Sequence, residues 1–205
     1  MKSFLVSAAA LLLVGCGLLP KPTAPPSFHS LDRAAIPAPA EPAVAAMPFD
    51  SAPTLIVNPP HAAAGFDSKH IVYLRQAHKL EYFAHHEWID TPARMLAPLM
   101  IAAIESSGTF RAVVLTPSAA SGTMILDTEI ARFAHDFSTS PSSVRFTLHA
   151  VMVDSATRQV LGWREFDASI AAKSEDPEGG VVAANRAVQQ VLEQLTSFCV
   201  EAARK

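Results

Sequence analysis

The stretch Ser143–Asp154, SVRFTLHAVMVD, alternates apolar and polar side chains without a break. Its apolar members are Val144, Phe146, Leu148, Ala150 and Met152. A period of two is typical of a β-strand with one buried face, because successive side chains in a strand point to opposite sides of the sheet. The stretch therefore predicts a sheet that buries one face in a core and leaves the other face polar.

Two more strand-like stretches flank this one, at residues 123–137 and 159–170. In the first of them the apolar residues change parity between Ile130 and Phe133. A β-bulge near Ala131 would bring both halves onto the same face of the sheet. The turn sequence DSAT joins the second stretch to the third, so three long strands in succession are expected.

Shorter elements precede these strands. The run TLIVN at 54–58 predicts a buried strand, and residues 71–74 and 80–83 predict a hairpin around the polar tip QAHK. Residues 112–115 predict one more strand, after a helix. The chain can close a crossover between the first and the last of these strands, so we expect those two strands to be parallel.

Two helices are predicted. Thr91 and Pro92 signal the start of the first helix, as N-cap and first helical residue, and Gly108 ends it. Pro98 removes an interior hydrogen bond and is expected to kink this helix. The second helix, at about 180–203, carries an apolar stripe formed by Ala184, Val188, Val191, Leu195 and Phe198. The element order predicts the α/β class, with a mixed, mostly antiparallel sheet of about five to six strands packed by two main helices.

The amino terminus has the features of a secretory signal peptide over residues 1–15. Lys2 precedes an apolar run that ends at Val14, and this run is too short to cross a bilayer as a helix, which takes about 20 apolar residues. The sequence LVGC at 13–16 resembles the bacterial lipobox. That resemblance implies that Cys16 becomes the first residue of the mature chain and carries acyl chains, which together give lasting membrane attachment. We expect no cofactor other than this covalent lipid.

Residues 16–53 are expected to form a tether between the lipid and a folded domain at 54–205. Eleven of the sixteen prolines lie between Pro20 and Pro60, and stretches of this composition adopt extended, polyproline-like conformations. One short strand is expected within the tether, at 28–32, where the sequence is FHSLD.

Composition and motifs exclude several function classes. Without residues 1–15 the chain keeps 15 basic against 19 acidic residues, which argues against a nucleic-acid partner. The sequence HEWID at 86–90 starts like a zinc-protease motif but lacks the second histidine, and no nucleophile or phosphate-binding motif occurs, so we expect neither an enzyme nor a metal site. Asp127 and Glu129 share one strand face, as a catalytic carboxylate pair can, but a solvated strand face has the same pattern. Cys199 lies on an apolar helix face and is expected to be a core residue.

Three segments, in this order, resemble the ABC-type transport auxiliary lipoproteins, the family that includes paraquat-inducible protein C. The first is the lipobox followed by FHSLD. The second is HIVYLRQAHKLEYFAHHEWIDTPARML at 70–96, and the third is SSGTFRAVV at 106–114. The resemblance runs from Cys16 to nearly the last residue. The chain departs from the family pattern at the hairpin tip, which lacks Gly or Pro, and at Pro98.

The resemblance implies an auxiliary subunit of an ABC-type system that moves phospholipid between the inner and outer membranes. It implies a non-enzymatic adaptor whose partner is a periplasmic protein with an MCE (mammalian cell entry) domain, and it leaves homo-oligomerisation open. Gly17, in place of an aspartate after the acylated cysteine, favours the periplasmic face of the outer membrane. The alternative is a periplasmic carrier lipoprotein that holds an acyl chain between sheet and helix.

The predicted hairpin is the element that we expect to dock on a partner, because its polar tip is not needed by the core. A hairpin that merely completes the sheet is the alternative. The candidate docking residues are Tyr73, Arg75, His78, Lys79, Tyr82 and Trp88. Trp88 and Trp163 are also candidate interface anchors, although packing in the core is favoured for both.

Overall fold

The structure, a computed structural model, describes residues 25–32 and 52–204. The predicted signal peptide, Cys16 and residues 17–24 and 33–51 of the predicted tether lie outside the described residues. Within the described ranges the chain forms nine strands and two helices. In chain order they are β1 (Ser27–His29), β2 (Thr54–Val57), β3 (His61–Ala62), β4 (His70–Gln76), β5 (Lys79–Trp88), α1 (Pro92–Glu105), β6 (Ala112–Leu115), β7 (Met124–Asp136), β8 (Ser143–Asp154), β9 (Val160–Ala171) and α2 (Pro177–Ala203).

All nine of these strands belong to one mixed sheet. The neighbours along its main path are β1, β5, β4, β7, β2 and β6, while β8 pairs with β7 and β9 pairs with β8. The long ladders of β4 with β5, β7 with β8 and β8 with β9 are antiparallel. The α/β class is confirmed, but the prediction of about five to six strands is too low. The sequence analysis did identify a segment for each strand except β3, but it did not count all of them as members of one sheet. Strand β3 has two residues and pairs in parallel with β7, so it leaves no periodic signal in the sequence.

The register confirms two local predictions. Strands β2 and β6 are parallel, with Thr54 opposite Ala112. The predicted crossover connection between them, which includes α1, is therefore confirmed. The ladder between β7 and β8 shifts register between Ile130 and Arg132, which leaves Ala131 as the extra residue of a β-bulge. This bulge brings both halves of β7 onto the core face.

The core lies between the inner face of the sheet and the helices. The alternating apolar residues of β8 are all buried, and so is the stripe of α2 that sequence analysis identified. Cys199 is fully buried on that stripe, and burial raises the pKa of its thiol to about 12. Cys199 is therefore a core residue, as predicted, and its thiol stays protonated and unreactive.

The two helix starts differ from expectation in detail. Thr91 is the N-cap of α1, but its side chain makes no capping hydrogen bond. Helix α1 continues through Pro98, which is exposed.

Helix α2 begins at Pro177, earlier than the predicted start near 180. Asp176 is its N-cap, and its carboxylate accepts a 2.7 Å hydrogen bond from the Gly179 amide, which lowers the pKa of Asp176. Asp-Pro at a helix start is a recognisable signal that the sequence analysis overlooked.

None of the helices in the described part of the chain has the length and apolarity that a membrane crossing requires.

One buried polar residue joins β7 to the start of α2. His135 is 2% exposed, and its Nε2 lies 2.8 Å from Ser142 Oγ. Its Nδ1 has no hydrogen-bond partner among the described residues and faces Gly180, where a Cβ would overlap it. Burial lowers the pKa of His135, although the nearby Glu175, Asp136 and Asp176 raise it. A neutral imidazole therefore fills the space that Gly180 leaves.

We expect Gly180→Ala to destabilise the fold by about 1–3 kcal/mol, because the added methyl group overpacks against the ring of His135. Without this contact the same change in a helix would stabilise by up to about 1 kcal/mol. Chemical denaturation of the variant measures the sign. In a double-mutant cycle with His135→Ala, the two changes should be less costly together than the sum of their separate effects. Additive effects would show that the overlap with His135 is not the cause.

Candidate docking surface

The hairpin of β4 and β5 lies between the edge strand β1 and the long strand β7. Its last ladder pair is Gln76 opposite Lys79, so Ala77 and His78 form a two-residue tip. The tip lies beside the carboxyl end of β7, because Leu74 pairs with Asp136. His78 has a φ of 65°, a left-handed conformation that histidine tolerates better than most residues other than Gly. This explains how a tip without Gly or Pro can still close.

One face of the hairpin carries an aromatic cluster. The ring centroids of Tyr73 and Phe83 are 4.6 Å apart, and that of Phe137 lies 5.8 Å from Tyr73. The Arg75 guanidinium lies over the Tyr73 ring, 5.1 Å from its centroid. Tyr73 is half-buried and Arg75 is exposed. A stacked cation on a partly exposed aromatic ring presents both charge and apolar surface to a partner.

The opposite face carries a second, smaller core. Val72, Leu74 and Ala134 form it. Leu80 lies against the loop before β4, where a Cβ on Gly65 would be 2.9 Å from its Cδ1. Because Gly65 also has a φ of 96°, this position needs glycine for two reasons. The loop therefore covers part of this face of the hairpin.

The predicted docking residues do not form one patch. Tyr82 is 48% exposed and its ring packs on His70 at 4.8 Å between centroids. In the ladder Tyr82 pairs with Val72, whereas Tyr73 pairs with Glu81, so the two tyrosines lie on opposite faces. Lys79 forms a 3.0 Å ion pair with Glu81. The structure thus offers Tyr73 and Arg75 on one face, Tyr82 on the other, and His78 with Lys79 at the tip.

The tryptophan assignments need correction. Trp88 is 3% exposed and stacks on Phe133 with centroids 5.4 Å apart. It belongs to the core, which is the alternative that the sequence analysis favoured for it, and its burial contradicts the docking role that was also considered. Trp163 is 74% exposed, against the expectation of core packing. The alternation of side chains along β9 explains this. Phe166 faces the core, and Trp163 lies three residues before it, so its side chain points to the opposite face of the sheet.

The carboxylates considered for catalysis lie on the open face of the sheet. Asp127 accepts a 2.6 Å hydrogen bond from the Asn58 side-chain amide. Glu129 lies 3.8 Å from His149, which contacts Glu165 at 2.8 Å. These exposed side chains are paired with cross-strand neighbours, as in a solvated strand face. Asp127 and Glu129 line one open cleft of about 630 Å³ on this face, together with His149, Glu165 and the exposed Trp163.

Sequence analysis missed one grouping of polar side chains beside the hairpin. His29 Nε2 lies 3.0 Å from His86 Nδ1, and His86 Nδ1 lies 3.6 Å from Glu178 Oε1. The three residues come from β1, β5 and α2. No short motif could have predicted this cluster, because its members are far apart in the sequence.

The fold is a sheet-and-helix scaffold from which a hairpin with exposed polar side chains projects. A model of the ABC-type transport auxiliary lipoprotein component family matches residues 36–196. The chain belongs to this family, and the resemblance noted in the sequence is confirmed. It is accordingly an auxiliary lipoprotein component of ABC-type transport. No curated protein sequence matches the chain significantly.

Solved structures share the fold. A Xanthomonas campestris protein of the DUF330 family is 24% identical, with a TM-score of 0.69 over 80% of this chain and 94% of its own. A hypothetical protein from Chlamydia trachomatis is 8% identical, with a TM-score of 0.54 over 75% of this chain and 98% of its own. At these identities the likeness extends to the fold alone.

Truncation of the two tryptophans should change the free energy of unfolding by very different amounts. Trp88→Ala leaves a cavity beside Phe133 and should lower the free energy of unfolding by about 3–5 kcal/mol. Trp163→Ala removes an exposed ring and should change it by less than about 0.5 kcal/mol. Urea denaturation of both variants measures the difference. A similar loss of stability in both would contradict the assignment of Trp88 to the core and Trp163 to the surface.

Proposed function

We propose that the chain is a non-catalytic adaptor, anchored by acyl chains on Cys16 to the periplasmic face of the outer membrane. In this proposal it belongs to an ABC-type system that transfers phospholipid between the two membranes. Its partner is a periplasmic protein with an MCE domain. Membership of the auxiliary lipoprotein family supports the transport role, and the lipobox at 13–16 supports the anchor.

The observation that carries the adaptor role is the hairpin tip. Arg75, His78 and Lys79 are all exposed there, and Arg75 is held over the Tyr73 ring rather than by an acidic partner. Lys79 is paired with Glu81, so Arg75, which forms no ion pair among the described residues, supplies the uncompensated positive charge at the tip. The chain as a whole has a net charge of −3. A local charge opposite to that of the rest of the molecule favours and orients an acidic partner surface.

The geometry argues against the carrier alternative. An acyl chain held between sheet and helix would need a cavity of at least about 300 Å³. The space there, lined by residues of β4, β7, β8 and α2, has a volume of about 10 Å³. This is room for about one water molecule. This enclosed space has no room for a lipid tail. A wider cleft of about 590 Å³ lies between the β1 segment and α2, but it is open at the surface rather than enclosed in the core.

The anchor can be tested on Cys16. Mass analysis of the wild-type protein should find a mature chain that starts at Cys16 and carries acyl chains, and density-gradient fractionation should recover it with the outer membrane. Cys16→Ser should lose both the added mass and the membrane association. The matched control is Cys199→Ala, which removes the buried thiol and should keep the lipid. An unmodified Cys16, or a mature start elsewhere, would overturn the anchor.

Docking can be tested by reversing one charge. Arg75→Glu should weaken binding of the purified MCE-domain protein about tenfold, which is about 1.4 kcal/mol, because it repels an acidic partner and removes the cation above Tyr73. Surface-immobilised binding assays at low and high salt measure the loss, and the difference from wild type should shrink as salt increases.

The matched control is Arg158→Asp, which changes the charge equally at the turn between β8 and β9. That turn follows Asp154, which pairs with Met124 at the other end of β7 from the hairpin tip. Asp also tolerates the left-handed conformation of Arg158, whose φ is 61°. Arg158→Asp should bind as wild type does. Equal losses in both variants, or no MCE-domain protein recovered with the wild type in mild detergent, would refute the docking proposal.

A further inference from the structure

The cluster of His29, His86 and Glu178 lies where three separate elements meet. His29 is the last residue of β1, His86 lies near the end of β5, and Glu178 is in the first turn of α2. One donor atom from each residue lies within 4.8 Å of the other two. Three such donors in one place are the minimum that a catalytic or regulatory zinc site uses, with water in the remaining position.

The distances fit a tetrahedral ion. Zinc bonds to imidazole nitrogen and carboxylate oxygen at about 2.0–2.2 Å, so its ligand atoms lie about 3.3–3.5 Å apart. The pairs here are 3.0 Å for His29 Nε2 to His86 Nδ1 and 3.6 Å for His86 Nδ1 to Glu178 Oε1. The third pair, between His29 and Glu178, lies within 4.8 Å, so a rotation of the exposed Glu178 side chain would be needed to bring all three atoms onto one ion.

The hydrogen bond between the two imidazole rings also suits a metal. A neutral imidazole has the lone pair that a metal needs. In the metal-free pair one facing nitrogen must carry the hydrogen that the other accepts. Binding of an ion requires that this hydrogen move to the outer nitrogen of the same ring.

The surroundings hold two ligands in place and leave the third accessible. The side chain of His86 is 22% exposed, whereas that of Glu178 is 62% exposed. In the parallel ladder of β1 with β5, His29 pairs with Trp88. His86 lies two residues before Trp88, on the same face of the sheet. The site is therefore half-buried on the imidazole side and open to solvent on the carboxylate side, so an ion can enter.

A metal here would fasten a weakly held segment. Strand β1 has three residues and pairs only with β5 among the described strands. Beyond it, Asn185 of α2 accepts a hydrogen bond from the Asp32 amide at 2.7 Å and donates one to the Ser30 carbonyl at 3.2 Å. An ion bound by His29 and Glu178 would add a direct link from β1 to the start of α2.

We propose that His29, His86 and Glu178 bind one divalent transition-metal ion of the zinc class, which clamps β1 to β5 and to the first turn of α2. The site requires two nitrogen ligands, so Mg²⁺ and Ca²⁺, which prefer oxygen ligands, should not occupy it. The proposal concerns the folded residues alone and holds whether or not Cys16 is acylated.

The test is zinc titration of the detergent-purified full chain, prepared without a histidine tag and treated with chelator. Competition with a chromogenic chelator should give one Zn²⁺ per chain, and X-ray absorption should detect two imidazole ligands. His29→Ala and His86→Ala should each weaken zinc binding at least about 100-fold. Mutation of a residue that only orients a metal ligand already lowers metal affinity about 10–100-fold, and loss of a ligand should cost more. Glu178→Gln should weaken it less, because an amide oxygen can still coordinate.

The control is His85→Ala, which removes the exposed neighbouring histidine and should bind zinc as wild type does. Hydrogen exchange should then slow at Ser27–His29 when zinc is added to wild type, but not when it is added to His86→Ala. Melting temperatures in chelator show that each variant is folded. The proposal is overturned by a dissociation constant for zinc above about 100 μM, by equal zinc binding in every variant, or by unchanged hydrogen exchange of β1. His29 and His86 would then be a hydrogen-bonded pair with no metal-binding role.

Discussion

The burial of one face of β8 is the constraint on which the rest of the structure depends. Its inward side chains, from Val144 to Met152, are all at most 2% exposed and pack in one core with the apolar stripe of α2. A single large apolar side chain buried in this way contributes about 1.5–3 kcal/mol. Because the side-chain period of a strand is two, a slip of one residue would turn this whole face to solvent. Burial therefore fixes the register of β7 and β9 on either side.

That fixed register determines where the hairpin of β4 and β5 projects. Strand β7 carries β8 along its whole length and pairs at its carboxyl end with β4. The hairpin of β4 and β5 thus extends from a rigid base, and its tip needs no contact with the main core. Such an arrangement suits an adaptor, since a partner can bind the tip without disturbing the packing beneath it.

The segment that leads from the amino terminus joins the domain at the opposite edge of the same hairpin. Strand β1 adds to β5, and the residues after it contact Asn185 on α2. The described part of the predicted tether is therefore integrated into the fold rather than separate from it. The start of α2 is crowded at this junction, with the buried ring of His135 against Gly180 and the carboxylate of Glu178 near His86.

The sequence by itself determined the long strands, the bulge at Ala131, the stripe of α2 and the burial of Cys199. Each of these features is written in a local periodicity of two or 3.6 residues, which needs no knowledge of the partner element. It also identified the hairpin, and five of its six candidate docking residues remain on or near the surface of the hairpin.

Only the tertiary structure decided that Trp88 is buried and Trp163 exposed, that β1 and β3 join the sheet, and that His29 meets His86 and Glu178. The physical reason is that strands of two or three residues have no measurable period, and their pairing is decided by contacts between residues far apart in the chain. A cluster built from three such distant segments exists only once the sheet and α2 have brought them together.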